Sequence, residues 1–174
     1  YIASGTLWRL MHLRKGPVIA ALYPVVMLIG QAGVALALAY AAGSVLRLWH
    51  PSLFWLGPVL IPLVLMGFRR YDNRLFAYYL MHDYAYSAAD RGANPRALED
   101  RLVEFKARVV AALQSDVDEV LLVGHSSGAH LAISLLADIS RSGVIQDGAP
   151  ALSFLSLGQV VPMVSFLPNA HRLR

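Results

Sequence analysis

Residues 118–143 read DEVLLVGHSSGAHLAISLLADISRSG. A short apolar run, Glu119 to Val123, meets Gly124-His125-Ser126-Ser127-Gly128, and a long apolar segment, Ala129 to Ser140, follows and stops before Gly143. A serine between two glycines at a strand-to-helix junction suits nucleophilic chemistry. A strand that enters a helix at once needs a very tight turn, whose apex residue takes a strained backbone and whose neighbours must be small. Gly124 and Gly128 supply those neighbours. The Ser126 hydroxyl then stands at the carboxyl end of a strand, where open α/β sheets bind ligands. The helix amino end beneath it offers N–H groups and the positive end of a dipole. The N–H of Ser127 is placed to stabilise an oxyanion. The structural alternative is a tight turn whose serine has no chemical role. A phosphate-binding loop is excluded, because G-x-x-x-x-G-K-S/T is absent.

The elements around this turn follow from the pattern. Residues 74–82, RLFAYYLMH, are short and aromatic-rich and predict a strand, with residues 83–93 as a loop. Asn94-Pro95 predicts a helix start, with asparagine as cap and proline at the first helical position. Leu98, Leu102, Phe105, Val109 and Leu113 then make one apolar helix face, with Glu99, Arg101, Glu104 and Arg108 off it and Glu104–Arg108 as an i,i+4 pair. Glu119 to Val123 predicts a strand, Ala129 to Ser140 a helix apolar almost all round, and Ala151 to Leu157 another strand. Alternating strands and helices imply a parallel sheet flanked by helices, and the apolar middle pair implies a buried central unit.

The segment LLVGHSSGAHLA resembles the nucleophile elbow of the α/β-hydrolase superfamily, in its lipase and esterase form Gly-His-Ser-x-Gly, and the resemblance covers about residues 74–160. It implies that Ser126 attacks the carbonyl of an acyl ester, that Ser127 gives a backbone oxyanion donor, and that His125 is not the base. It also implies a second oxyanion N–H from a loop after an earlier strand. The matching position is Met81, His82 and Asp83, where the family's His-Gly pattern is missing. The family places an acid and then a histidine after later strands. Beyond His125 and Ser126, only Asp138, Asp147, His130 and His171 carry the needed side-chain types. Asp138 and His130 fall on the helix after the elbow, Asp147 in the turn that follows it, and His171 too soon after the last strand. The triad's acid and base are therefore expected outside residues 1–174. The chain opens on Tyr1 rather than Met and is expected to be part of a longer protein. No cofactor is implied, and no third ligand joins His125 and His130 to make a metal site.

The first seventy residues have another character. Of the whole chain, 57% is apolar and 15% charged, with a net charge of +4 and no cysteine, so disulfides and cysteine metal sites are excluded. Residues 17–68 hold one charged residue, Arg47. Pro17 to Ala42 is uncharged over 26 positions and Pro51 to Phe68 over 18, about 39 Å and 27 Å as helices. Both suit a bilayer crossing. Buried core helices rarely run this long without a polar face, and a signal peptide is shorter and is not followed at once by a second span. Arg9, Arg14 and Lys15 precede the first span, and Arg69, Arg70 and Arg74 follow the second. Both ends are thus expected on the cytoplasmic side, with residues 43–50 outside. Gly33, Ala37 and Ala41 share one face suited to close helix packing, and Gln31 wants a hydrogen-bond partner in mid-span. The basic residues form no stripe with interleaved aromatics, which argues against nucleic acid.

Together these features predict an α/β chain: residues 1–70 form a two-helix transmembrane hairpin (about 17–43 and 51–68), and residues 71–174 a partial α/β-hydrolase-like domain with its elbow at 124–128. The expected activity is that of a membrane-anchored serine esterase or lipase at a bacterial inner membrane, with the bilayer as partner and a small acyl ester or lipid as substrate. The alternative is a non-catalytic membrane-anchored scaffold that binds a partner.

Overall fold

The structure, a computed structural model, describes residues 1–146 and 148–173. It is mostly helical, with one small parallel sheet. The elements are α1 (Thr6–Leu13), α2 (Lys15–Ala21), α3 (Tyr23–Leu46), a 3₁₀ segment (Pro51–Val59), α4 (Leu60–Arg70), α5 (Asp72–Leu75), α6 (Ala77–Ala89), α7 (Arg96–Leu113), β1 (Glu119–His125), α8 (Ser127–Arg141), β2 (Ala151–Leu157), α9 (Val161–Ser165) and a final 3₁₀ turn (His171–Leu173). They form two compact units, Arg14–Tyr84 and Tyr1–Leu13 with Ala85–Arg174.

The Arg14–Tyr84 unit holds two stretches long and apolar enough to cross a membrane, Lys15–Leu46 and Pro51–Arg70. Their large side chains point outward, as Ile29 (68% exposed) and Met66 (59%) do. The first stretch is divided at Leu22, just before Pro24, which has no N–H to give. The second begins as a 3₁₀ segment because Pro51 and Pro58 interrupt the α ladder, and His50 caps it by accepting from the Ser52 N–H. The two stretches run antiparallel. Phe54 and Gly57 meet Ala39 and Gly43 at one end, and the Tyr23 hydroxyl donates to the Leu75 carbonyl at the other. A Cβ at Gly43 would lie 2.6 Å from the Phe54 carbonyl oxygen, so glycine is required there.

The buried ridge of α3 is Pro24, Gln31, Ala35, Ala39 and Gly43. The Gly33, Ala37 and Ala41 face expected to pack is exposed instead. Both faces have four-residue spacing, and contact with Gly57 selects the one that carries Gly43. Gln31 is 3% exposed, and among the described residues neither its amide nitrogen nor its amide oxygen has a partner.

The strand expected over residues 74–82 is helical, in α5 and α6. Phe76 takes a left-handed conformation (φ 53°) between them. The two carboxylate oxygens of Asp72 accept from the N–H groups of Tyr78 and Tyr79, both at 2.9 Å. This cap satisfies donors of the first turn of α6 and starts a helix in spite of the aromatic composition. The helix continues through the segment expected to be a loop, to Ala89.

In the other unit, β1, α8 and β2 form one β-α-β crossover with parallel pairing from Glu119–Ala151 to His125–Leu157. The last strand has the bounds expected from the sequence. Leu113 of α7 with Leu135 and Ile139 of α8 make the core, and Val109, Val120, Leu122 and Leu152 pack on it. Full burial of such a side chain is worth about 1.5–3 kcal/mol. Alternate residues of β1 face these helices. The others face away, so Leu121 (55%) and Val123 (51%) are half exposed, as are Leu155 and Leu157 beside them. The central unit is therefore covered on one face, where burial on both was expected. Two strands and two helices supply one helical layer only. Phe105, expected on the apolar face of α7, is also exposed, whereas Leu102 and Leu113 are buried.

Residues 1–13, expected with the membrane region, belong to this second unit. Leu10 is buried, and the Thr6 hydroxyl donates to the Phe166 carbonyl at 3.2 Å.

Candidate active site at Ser126

Ser126 joins β1 to α8 with φ 53° and ψ −121°. Residues with a Cβ rarely adopt this region, which costs about 1–3 kcal/mol. Three features hold the serine there. Its N–H donates to the Leu157 carbonyl at 2.9 Å, one step beyond the strand register. Its carbonyl accepts from the Ala129 N–H at 3.0 Å, closing the first turn of α8. The helix start also lies very close to the strand end. A Cβ on Gly124 would come within 2.8 Å of Ala129 Cα, 3.0 Å of the Gly128 carbonyl oxygen and 3.1 Å of the Ala129 nitrogen. All three are backbone atoms that cannot swing aside, so glycine at 124 is what permits the turn.

Gly128 differs from expectation. A Cβ there would meet no atom within 4 Å, so the second glycine of the motif is not demanded by packing within this chain. Ser126 stands at the capping position of α8, yet its side chain makes no capping hydrogen bond. Its hydroxyl is thus not spent on the helix end in the way that serines at such positions usually are. Ser127 is the first residue of α8. His125 is exposed at the last position of β1, paired in register with Leu157.

The remaining candidates are placed as follows. Met81, His82 and Asp83 lie inside α6, where main-chain N–H groups serve the helix ladder. They form no loop after a strand, so the expected second oxyanion position is not built there. His130 is buried at the end of the first turn of α8, and its carbonyl accepts from the Ser134 hydroxyl. Asp138 lies twelve residues beyond Ser126, about 18 Å along the helix. Its carboxylate accepts from Arg172 Nη1 at 2.5 Å. Arg172 also forks onto Glu99 of α7, with Nε at 3.0 Å from Oε1 and Nη2 on Oε2. This bracket holds the Glu99 carboxyl below its usual range, chiefly through the Arg172 hydrogen bonds, and raises the Arg172 guanidinium. His171 adjoins Arg172 and is exposed. Asp147 lies outside the described residues. No group of three metal-ligating side chains occurs among the described residues.

The Leu157 carbonyl that fixes Ser126 has no mark in the sequence around the turn, since it comes from the parallel neighbour of β1. The Arg172 bracket has no local sequence mark either, because residues 99, 138 and 172 are far apart in the chain. An open depression of about 570 Å3 lies over Asp90, Arg91, Asn94, Pro95 and Asn169, and Ser126 is not among its lining residues.

No known family, curated protein or solved structure matches this chain.

Proposed function

We propose that this chain is the membrane-anchored portion of a serine hydrolase of the α/β-hydrolase type, acting on an acyl ester or lipid. The supporting observation is the backbone of Ser126. The turn between β1 and α8 concentrates its strain on a serine, with glycines two residues to either side. A merely structural turn is built more cheaply with glycine at the strained position. Retaining a hydroxyl there, uninvolved in helix capping, is what a nucleophile requires.

In this reading the Ser126 oxygen bonds to the ester carbonyl carbon as its proton passes to a histidine base. The carbonyl electrons move onto oxygen, and the Ser127 backbone N–H donates to that oxyanion. Collapse expels the alcohol, which takes the proton, and water then releases the acid by the reverse sequence. Asp138 is committed to Arg172, and His130 lies within the helix, so neither is assigned a catalytic role. The acid and the base are assigned to residues outside 1–174. The two apolar stretches cross the bilayer as a hairpin in the inner membrane of a bacterium, with both flanks and the hydrolase region cytoplasmic. The excess of arginine and lysine at the flanks over the connection supports that orientation.

A second reading, a non-catalytic scaffold that binds a partner, has the open apolar sheet face of Leu121, Val123, Leu155 and Leu157 in its favour. Labelling with a fluorophosphonate probe separates the two. The hydrolase reading requires a covalent adduct on Ser126 in the natural protein that carries this segment. A protein whose Ser126→Ala variant labels equally well is not using the elbow, and the scaffold reading then replaces the first.

A further inference from the structure

The chain leaving the second membrane-length stretch concentrates positive charge and exposed aromatic rings. Arg69 and Arg70 end α4 and Arg74 lies in α5. All three are exposed, and among the described residues none is in an ion pair. The one carboxylate between them, Asp72, is directed at the N–H groups of Tyr78 and Tyr79. Tyr71, Phe76 and Tyr79 are exposed, and the Phe76 and Tyr79 rings meet edge to face at 6.3 Å. The Tyr23 hydroxyl ties Leu75 to the start of α3, so this shelf sits at one end of the hairpin. The connection at the other end has a single cation, Arg47. On α4 itself, Leu63 and Met66 face outward just before the arginines.

We propose that residues 69–79 bind the headgroup of an anionic phospholipid, with Arg69, Arg70 and Arg74 on the phosphate and the three rings at the boundary with the acyl chains. Guanidinium forks match phosphate oxygens in pairs. Tyrosine favours the water–membrane boundary, and basic clusters beside a span attract anionic lipid. A phospholipid fits better than a soluble anion because the outward apolar side chains of α4 lead directly to the charges, giving acyl chains a surface to lie on. The proposal rests on the hairpin lying in a bilayer, as inferred above.

The test reconstitutes the full chain in phosphatidylcholine vesicles carrying traces of spin-labelled phosphatidylglycerol or phosphatidylcholine. The fraction of immobilised label is read by electron paramagnetic resonance, and alkaline carbonate extraction of the same vesicles reports insertion. The expected result is a preference of roughly fivefold for phosphatidylglycerol. It should weaken in about 0.5 M salt and fall by more than half in the Arg69→Gln, Arg70→Gln, Arg74→Gln variant, which remains inserted and keeps the exposed Arg14 and Lys15 at the same end. Equal retention of both lipids by an inserted wild-type chain overturns the proposal alone, as does a preference left undiminished by the triple substitution. Competition by inorganic phosphate at low millimolar concentration would show a small-anion site and overturn it as well. A chain stripped from the vesicles by carbonate overturns the membrane reading and this proposal with it.

Discussion

Replacing Gly124 by alanine should collapse the turn that presents Ser126, and Gly128→Ala should not. The added methyl at 124 meets three backbone atoms of Gly128 and Ala129 at 2.8–3.1 Å. Ordinary carbon contacts lie near 3.5–4.0 Å, so α8 must retreat from β1 by several tenths of an ångström. Overpacking of this kind costs about 1–3 kcal/mol. The upper part of that range applies, because no flexible side chain is available to yield. At 128 the same methyl meets nothing within 4 Å, and in a helix it favours folding by up to about 1 kcal/mol. Hydrogen exchange over residues 119–141, read by mass spectrometry, makes the comparison local. A loss of about 2–3 kcal/mol corresponds to roughly 30–150-fold faster exchange in Gly124→Ala, while Gly128→Ala should match the parent or exceed its protection. Equal protection in both variants, or equal damage, would refute the close approach of α8 to β1.

Three further outcomes follow from the same geometry. Ser126→Gly should stabilise the unit by about 1 kcal/mol, because relief of the positive φ outweighs the added chain entropy; a destabilised variant in the same exchange measurement would remove the strain from the account. Gln31→Leu should strengthen the hairpin by about 1 kcal/mol, since its buried amide has no partner among the described residues; unfolding in rising fractions of dodecyl sulfate checks this, and a weaker hairpin would reveal a partner. Arg172→Met should cost about 1–2 kcal/mol at neutral pH, a modest figure because all three side chains are partly exposed. Glu99 is lowered in the fold, so its share is complete above the ordinary carboxyl value of 4.5 and is lost as pH falls through the lowered one. Urea titrations at pH 7 and below 4.5 should therefore show the gap between wild type and variant narrowing in acid, and a constant gap would count against the bracket.

The elbow and the strand after it were legible because their signals are local. Glycine at 124, where the helix start crowds the strand end, with an apolar run before and a helix-forming run after, marks a tight strand-to-helix turn. The two membrane-length stretches were legible for a similar reason, since an absence of charge over many residues needs no partner to interpret. Residues 74–82 misled because Tyr, Phe and Leu suit strands in isolation, whereas the deciding atom group, the Asp72 carboxylate, lies outside the run. The choice between the Gly33 and Gly43 faces of α3 is set by Gly57 on the opposite stretch, and sequence spacing alone carries no such information. The exposed face of β1 was unforeseen for a related reason: an all-apolar strand implies cover on both sides, and α7 and α8 give one layer. The Arg172 bracket joins three residues distant in the chain, which no local pattern marks.

The proposed role of Ser126 is that of a nucleophile and not simply of the apex of a turn. Treating the natural protein that carries this segment with a fluorophosphonate, followed by peptide mapping, tests it directly. The expected result is an adduct on Ser126, absent in Ser126→Ala and retained in Ser127→Ala, where the backbone donor survives. No adduct on Ser126 in the folded natural protein, or labelling undiminished in Ser126→Ala, would contradict it.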